Sequence, residues 1–130
     1  MSDAGVNLAL VLEAWAEMVH GGSTESLGAL LDESVTWQGI LPGQVCRNRQ
    51  EVLGLLARRR ARPPRLTRIE AAEFGDRVVV SVDGPDFLPQ DTPAAGGPRS
   101  LVFTFRDGRV VRMESEPDRD TAFALAAKPT

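Results

Sequence analysis

The chain has 130 residues, the length of one domain. Its 42% apolar and 25% charged content excludes disordered, collagen-like and membrane-spanning chains. A net charge of −3 argues against a binder of nucleic-acid backbone. One Cys and one His exclude an internal disulfide and a His- or thiolate-rich metal site, so neither metal nor cofactor is expected.

Only Met-Ser-Asp-Ala-Gly precedes the first apolar run, with no basic start and no cleavage site, so a cytoplasmic protein without a membrane anchor is expected. Val6 to His20 reads as a helix, with Val11, Trp15, Met18 and Val19 at three-to-four spacing and Gly21-Gly22 stopping it. Ser23 or Thr24 can cap a second short helix that buries Leu27, Leu30 and Leu31. Val35-Thr36-Trp37-Gln38 alternates with period two and predicts a strand, Val35 and Trp37 facing the core. Gly39 to Asn48 reads as loop. Asn48 and Glu51 form a capping box for a third helix, with Val52, Leu55 and Leu56 inward and Pro63-Pro64 ending it.

Beyond this point the pattern changes to strands. The stretches 66–74, 77–83, 100–106 and 109–116 alternate, and Gly75-Asp76 and Asp107-Gly108 mark tight turns. Between the second and third strands lies a Pro/Gly-rich segment, 84–99, expected to be a flap with Phe87 and Leu88 as its apolar anchors. Asp118 can cap a closing helix through Ala127. Helices followed by consecutive hairpins predict a single α+β domain over 1–130: a cone-shaped, curved antiparallel sheet wrapped over the N-terminal helices on its concave face.

Charge is unevenly spread. Residues 1–46 hold six acids and no Lys or Arg, whereas residues 47–68 hold eight Arg against Glu51 alone. The Arg47–Arg68 block is either a solvated helix with cations in its last turn or an electrostatic footprint for a protein or nucleic acid. No aromatic residue interleaves the arginines, so nucleic acid is not the expected partner.

The order of elements and several motifs resemble the SnoaL-like branch of the nuclear transport factor 2-like superfamily. These are V-H-G-G-S, L-L-D-E-S-V-T-W-Q-G, V-C-R-N-R-Q-E-V-L and F-T-F-R-D-G-R-V-V-R-M, and the likeness covers nearly the whole chain. It implies a cone with an apolar pocket at its open end, and a homodimer formed through the outer sheet face. The superfamily includes ketosteroid isomerase and polyketide cyclases as well as non-catalytic proteins, so its chemistry must be carried over residue by residue. The isomerase's helix tyrosine falls on Trp15, its base on Gln38 or Gly39, and its oxyanion aspartate near Leu101. None of these can act in that role. The His and acid expected on the last strand of a cyclase fall on Met113 and Ser115.

Trp15, Trp37, Leu101, Phe103, Met113 and Ser115 are thus candidate pocket residues, with core packing as the alternative for the apolar ones. No catalytic residue is assigned. Cys46, beside Arg47 and Arg49, reads as a small thiol rather than a nucleophile, because His20 stands far off in a Gly-rich turn. Asp83, Asp86 and Asp91 flank the long loop and could present an acid over the pocket mouth. Arg112 and Glu114 alternate with Val111, Met113 and Ser115 and should face the outer side of the sheet. The expected function is a binding protein for a small hydrophobic ligand. An isomerase, dehydratase or cyclase acting on a polyketide-like substrate is the alternative.

Overall fold

A computed structural model describes residues 5–17, 24–39, 43, 45–60, 68–83, 100–116 and 119–128. His20, Asp86, Asp91 and the 84–99 segment expected as a flap lie outside the described residues. The elements are α1 (Val6–Ala16), α2 (Glu25–Leu30), β1 (Leu31–Gln38), β2 (Val45–Cys46), α3 (Arg49–Arg60), β3 (Arg68–Phe74), β4 (Arg77–Asp83), β5 (Ser100–Arg106), β6 (Arg109–Glu116) and α4 (Arg119–Ala127). Leu31, expected on the buried face of α2, is instead the first residue of β1. The loop expected over 39–48 contains the two-residue strand β2.

The six strands form one curved, unclosed sheet in the order β2-β1-β6-β5-β4-β3. Every ladder is antiparallel except β1–β6, which is parallel. That pair joins segments too distant in sequence for a turn motif to reveal it. The β5–β6 hairpin turns on Asp107-Gly108, whose φ angles of 54° and 80° are the positive pair that a type I′ turn needs.

Two irregularities set the faces of β6. Its register against β5 slips between Thr104 and Phe105, with Phe105 opposite Val110 and Thr104 opposite Arg112. Val111 is the extra residue, so Val110, Met113 and Ser115 are buried and Val111 is not; the simple alternation expected for this strand breaks there. On β1 the ladder to β6 jumps from Leu31 to Thr36. Inside that jump Asp32 folds back to accept bonds from the Ser34 N–H (3.0 Å) and hydroxyl (2.6 Å). Those two donors hold the Asp32 carboxyl below its ordinary range, the hydroxyl contributing most.

The sheet buries apolar residues on both faces. On the inner face Val11, Ala14, Leu27, Leu30 and Val52 from α1, α2 and α3 pack on Val35, Trp37, Val78, Val80, Val82, Leu101, Phe103, Phe105, Val110 and Met113. On the outer face Ala122 and Ala126 of α4 pack on Val79 and Val102, with Ala72, Phe74, Phe123 and Leu125 around them. The helices therefore do not share one face: α1 to α3 pack on the concave side, and α4 packs on the back of the sheet, mainly over β4 and β5. Its alanine face lets it lie close to the sheet. Arg77 donates to the carbonyls of Leu125 (3.0 Å) and Lys128 (2.9 Å) at its C-terminal end, where a cation suits the helix dipole. At its other end Arg119 grips the Glu70 carboxylate with two bonds of 2.7 and 2.8 Å and lies over the Phe123 ring. Phe123 in turn meets Phe74 edge to face.

The helix starts are fixed in different ways. Asn48 Oδ1 accepts the Glu51 N–H at 2.9 Å, as the capping box predicts. The Glu51 carboxylate reaches back one residue further than the motif expects, to the Arg47 N–H at 2.8 Å. The N-cap of α1 is Gly5, which has no side chain to offer. Glu73 of β3 supplies the acceptor instead, at 2.9 Å from the Leu8 N–H.

Candidate functional site

Strand register brings five of the six candidate residues together. Trp37 stands beside Met113, Met113 beside Phe103, and Phe103 beside Val78, making one row across the inner face. The next row runs Ser115, Leu101, Val80. The Trp37 indole links the rows, its Nε1–H donating to Ser115 Oγ at 2.8 Å. Trp37, Leu101, Phe103 and Met113 belong to the main core, and Ser115 is 8% exposed. An indole brings a large apolar ring with one obligatory donor, and Ser115 satisfies it inside the core.

Trp15 reaches the same core from α1 as a half-buried ring. Its nitrogen is sealed from solvent, yet Nε1–H has no hydrogen-bond partner among the described residues. It is the single described buried side-chain polar atom in that condition. Most buried polar groups in folded proteins are paired, so this one needs a reason.

The polar content of the described interior is small. Ser81, Ser100 and Ser115 are the buried polar residues among those described, and no buried carboxylate, imidazole or amine accompanies them. Ser100 donates to Ser81 at 2.9 Å across the β4–β5 ladder, on the face that carries Val79 and Val102. Gln38, at one of the isomerase-base positions, is exposed, and Gly39 is half-buried. Thr36, Gln38, Arg112 and Glu114 form a polar strip on the outer side of β1 and β6.

Among the described residues two clefts open at the end of the molecule where the hairpins turn, and none of the six candidates lines either one. The first, about 530 Å3, lies between α1 and α2 and is lined by Leu10, Glu13, Glu17, Ser26, Ala29, Leu30 and Gly108. There Glu17 accepts bonds from the Ser26 N–H (3.3 Å) and from its hydroxyl. The second, about 910 Å3, runs from the start of α1 to the two turns and includes Glu73, Asp76, Arg106 and Asp107. In the sequence Glu17 is only a polar residue at the end of an apolar run. Its tie to Ser26 is visible only once α1 and α2 pack side by side. Among the described residues no group of three or more His, Cys, Asp or Glu could hold a metal ion.

The remaining candidates are dispersed. Cys46 is half-buried on β2, paired in register with Trp37. Arg49 sits 3.8 Å from Glu33 of β1, so the described start of the arginine block faces an acid of its own chain. No described helix is long and apolar enough to cross a membrane.

The family model for the SnoaL-like domain matches residues 12–113, from the middle of α1 to Met113. The chain belongs to the SnoaL-like family. Solved structures agree on the fold. Bal32a, from a soil-derived mobile gene cassette, superposes with a TM-score of 0.65 at 19% identity, covering 98% of this chain and 100% of that one. A candidate SnoaL-like polyketide cyclase from Jannaschia sp. CCS1 gives 0.62 at 18% identity, covering 100% and 98%. An NTF2-like protein of unknown function from Cytophaga hutchinsonii gives 0.63 at 14% identity, covering 90% and 94%. At these identities the likeness is one of fold alone, and the SnoaL-like fold hosts several chemistries. No curated protein matches the chain.

Proposed function

We propose that this SnoaL-like chain is a small-molecule-binding protein whose neutral, hydrophobic ligand lies against the apolar inner side of the sheet, with no acid or base acting on it. One observation carries the reading: the buried polar groups of the described interior are serine hydroxyls and indole N–H groups. A serine hydroxyl without an adjacent base neither removes nor delivers a proton at neutral pH. Its hydrogen bond to Trp37 further commits Ser115 to structure. What such an interior offers a ligand is apolar contact and a donor, which is how most small-molecule sites are built.

Thr36, Gln38, Arg112 and Glu114 share the outer face of β1 and β6, with Thr36, Gln38 and Arg112 exposed. We propose it as the face through which two copies pair, in a symmetric contact of Arg112 with Glu114 of the other copy.

Differential scanning fluorimetry with naphthalene-sized neutral compounds tests the binding reading. A ligand present at a hundred times its Kd adds about 2.7 kcal/mol of stability, which raises Tm by several degrees in a domain of this size. The reading fails if no compound gives a saturable rise. It fails equally if a bound compound is converted and the conversion depends on an ionising group of the interior.

A further inference from the structure

The two clefts lie at the opposite end of β6 from the Trp37–Ser115 bond, since Ser115 stands roughly 20 Å of strand from the turn at Gly108. Both are lined by Leu10 and Gly108, so they run together as one groove past α1 and the β5–β6 turn. Its apolar lining comes from Val6, Leu8, Leu10, Leu30 and Phe105. Val6, at the start of α1, is 50% exposed there. The charge is one-sided: among the described residues Glu13, Glu17, Glu73, Asp76 and Asp107 line the groove against Arg106 alone. Glu17 is committed to Ser26 and Glu73 to the first turn of α1. Glu13, Asp76 and Asp107 are exposed and form no ion pair with a described residue.

We propose that this groove is a docking surface for a basic, amphipathic segment of a partner protein, which lays apolar side chains on Val6, Leu8 and Leu10 and brings Lys or Arg to Glu13, Asp76 and Asp107. Charge complementarity selects the partner. An acidic segment would set like charges against the rim, whereas Lys and Arg carry their charge on long stems that themselves cover apolar surface. A small cation would meet the rim and leave the apolar lining wet. The larger cleft alone, about 910 Å3, approaches the top of the range of roughly 300–1,000 Å3 for small-molecule sites, and the second continues it. That extent suits a peptide laid along a groove. The surface is independent of the ligand reading above, because the groove shares no residue with the row from Trp37 to Val78.

Fluorescence anisotropy with labelled peptides of about 14 residues tests this, the length being about four helical turns. One peptide is built of Leu and Lys with the leucines at helical spacing, one has every Leu replaced by Ser, and one has every Lys replaced by Glu. The Leu/Lys peptide should bind saturably and lose affinity as salt rises, since exposed charges are screened. The other two should bind about tenfold more weakly or worse. The triple variant Glu13→Gln, Asp76→Asn, Asp107→Asn leaves Glu17 and Glu73 at their bonds, and Asn tolerates the positive φ of position 107. It should weaken the Leu/Lys peptide about tenfold. In 15N spectra of the wild type, the peptide should shift the amides of Leu10, Gly75 and Gly108 and leave those of Trp37 and Ser115 in place. Equal binding of the Leu/Lys and Ser/Lys peptides would mean bulk attraction for polycations only and would overturn the proposal. An unchanged affinity in the triple variant, or no saturation by the Leu/Lys peptide up to about 1 mM, overturns it as well. Should the variant fail to fold, the wild-type amide map decides, and shifts clustered away from the groove refute the assignment.

Discussion

Replacing Ser115 by Ala removes one hydroxyl from the interior and strands the indole N–H of Trp37, which is 3% exposed and bonded at 2.8 Å. The methyl of alanine fits where the serine side chain stood, so cavity formation contributes little. What remains is the cost of a buried donor without its acceptor, about 1–3 kcal/mol. In a 130-residue domain that lowers Tm by about 3–12 °C. Trp37→Phe removes the donor and part of the ring, and costs about 1–3 kcal/mol through lost packing and a partly empty space. The two changes share one interaction, so the double variant should be more stable than the summed losses predict, by about 0.5–3 kcal/mol. Urea unfolding of the four proteins, followed by circular dichroism because tryptophan emission itself is altered, supplies all the terms. Additivity within about 0.3 kcal/mol would mean that the Trp37–Ser115 bond contributes nothing, and the structural account of both residues would be wrong.

Glu73→Ala removes the acceptor that Gly5 cannot provide for the first turn of α1, and should cost about 1 kcal/mol, with faster amide exchange at the start of that helix. If exchange there is unchanged, Glu73 does not cap α1. Asp32→Asn concerns a carboxyl whose pKa is lowered on folding, so the ionised form stabilises the fold at neutral pH and the contribution disappears as pH falls through the folded value. The stability gap between variant and wild type should therefore be open well above the ordinary value of 3.8 and close below it. A gap that widens in acid would reverse the assignment. Light scattering at micromolar concentration should give twice the 14.1 kDa chain mass, and Arg112→Glu should reduce it to one chain. A wild-type mass near 14.1 kDa removes the proposed pairing.

The elements that sequence reveals here are those whose cause is local. Asn48 and Glu51 are three residues apart, and the bond between them opens α3 where the pattern says it should. Asp107-Gly108 supplies two positive φ angles by residue type alone, so the last hairpin is legible without its sheet. The inward position of Trp37 follows from the period-two alternation of its strand, whereas Leu101 and Met113 come from the family resemblance, since β5 is buried on both faces. The parts that were not legible have causes elsewhere in the chain. Leu30-Leu31 reads as one helix face, yet Leu31 pairs with Val110 and leaves the helix. Val111 gives up the inward position to Val110 because a bulge absorbs one residue, and no residue in that run announces a bulge. The apolar stripe of α4 says that it packs, not on which face of the sheet. Trp37 and Ser115 are 78 positions apart, and Leu8 and Glu73 are 65. Both pairings exist only because the sheet brings their strands and helices together.

The central claim, a neutral apolar site without acid or base, is tested most directly by the pH dependence of binding. A neutral ketone such as acetophenone is titrated into the protein from about pH 5 to about pH 9, the range in which a functional His or a raised carboxyl would ionise. The account predicts saturable binding with a Kd constant to within about twofold across that range, since no ionising group meets the ligand. An affinity that changes by about tenfold along a single titration step would place an acid or base against the ligand, at about 1.4 kcal/mol of coupling, and contradict it.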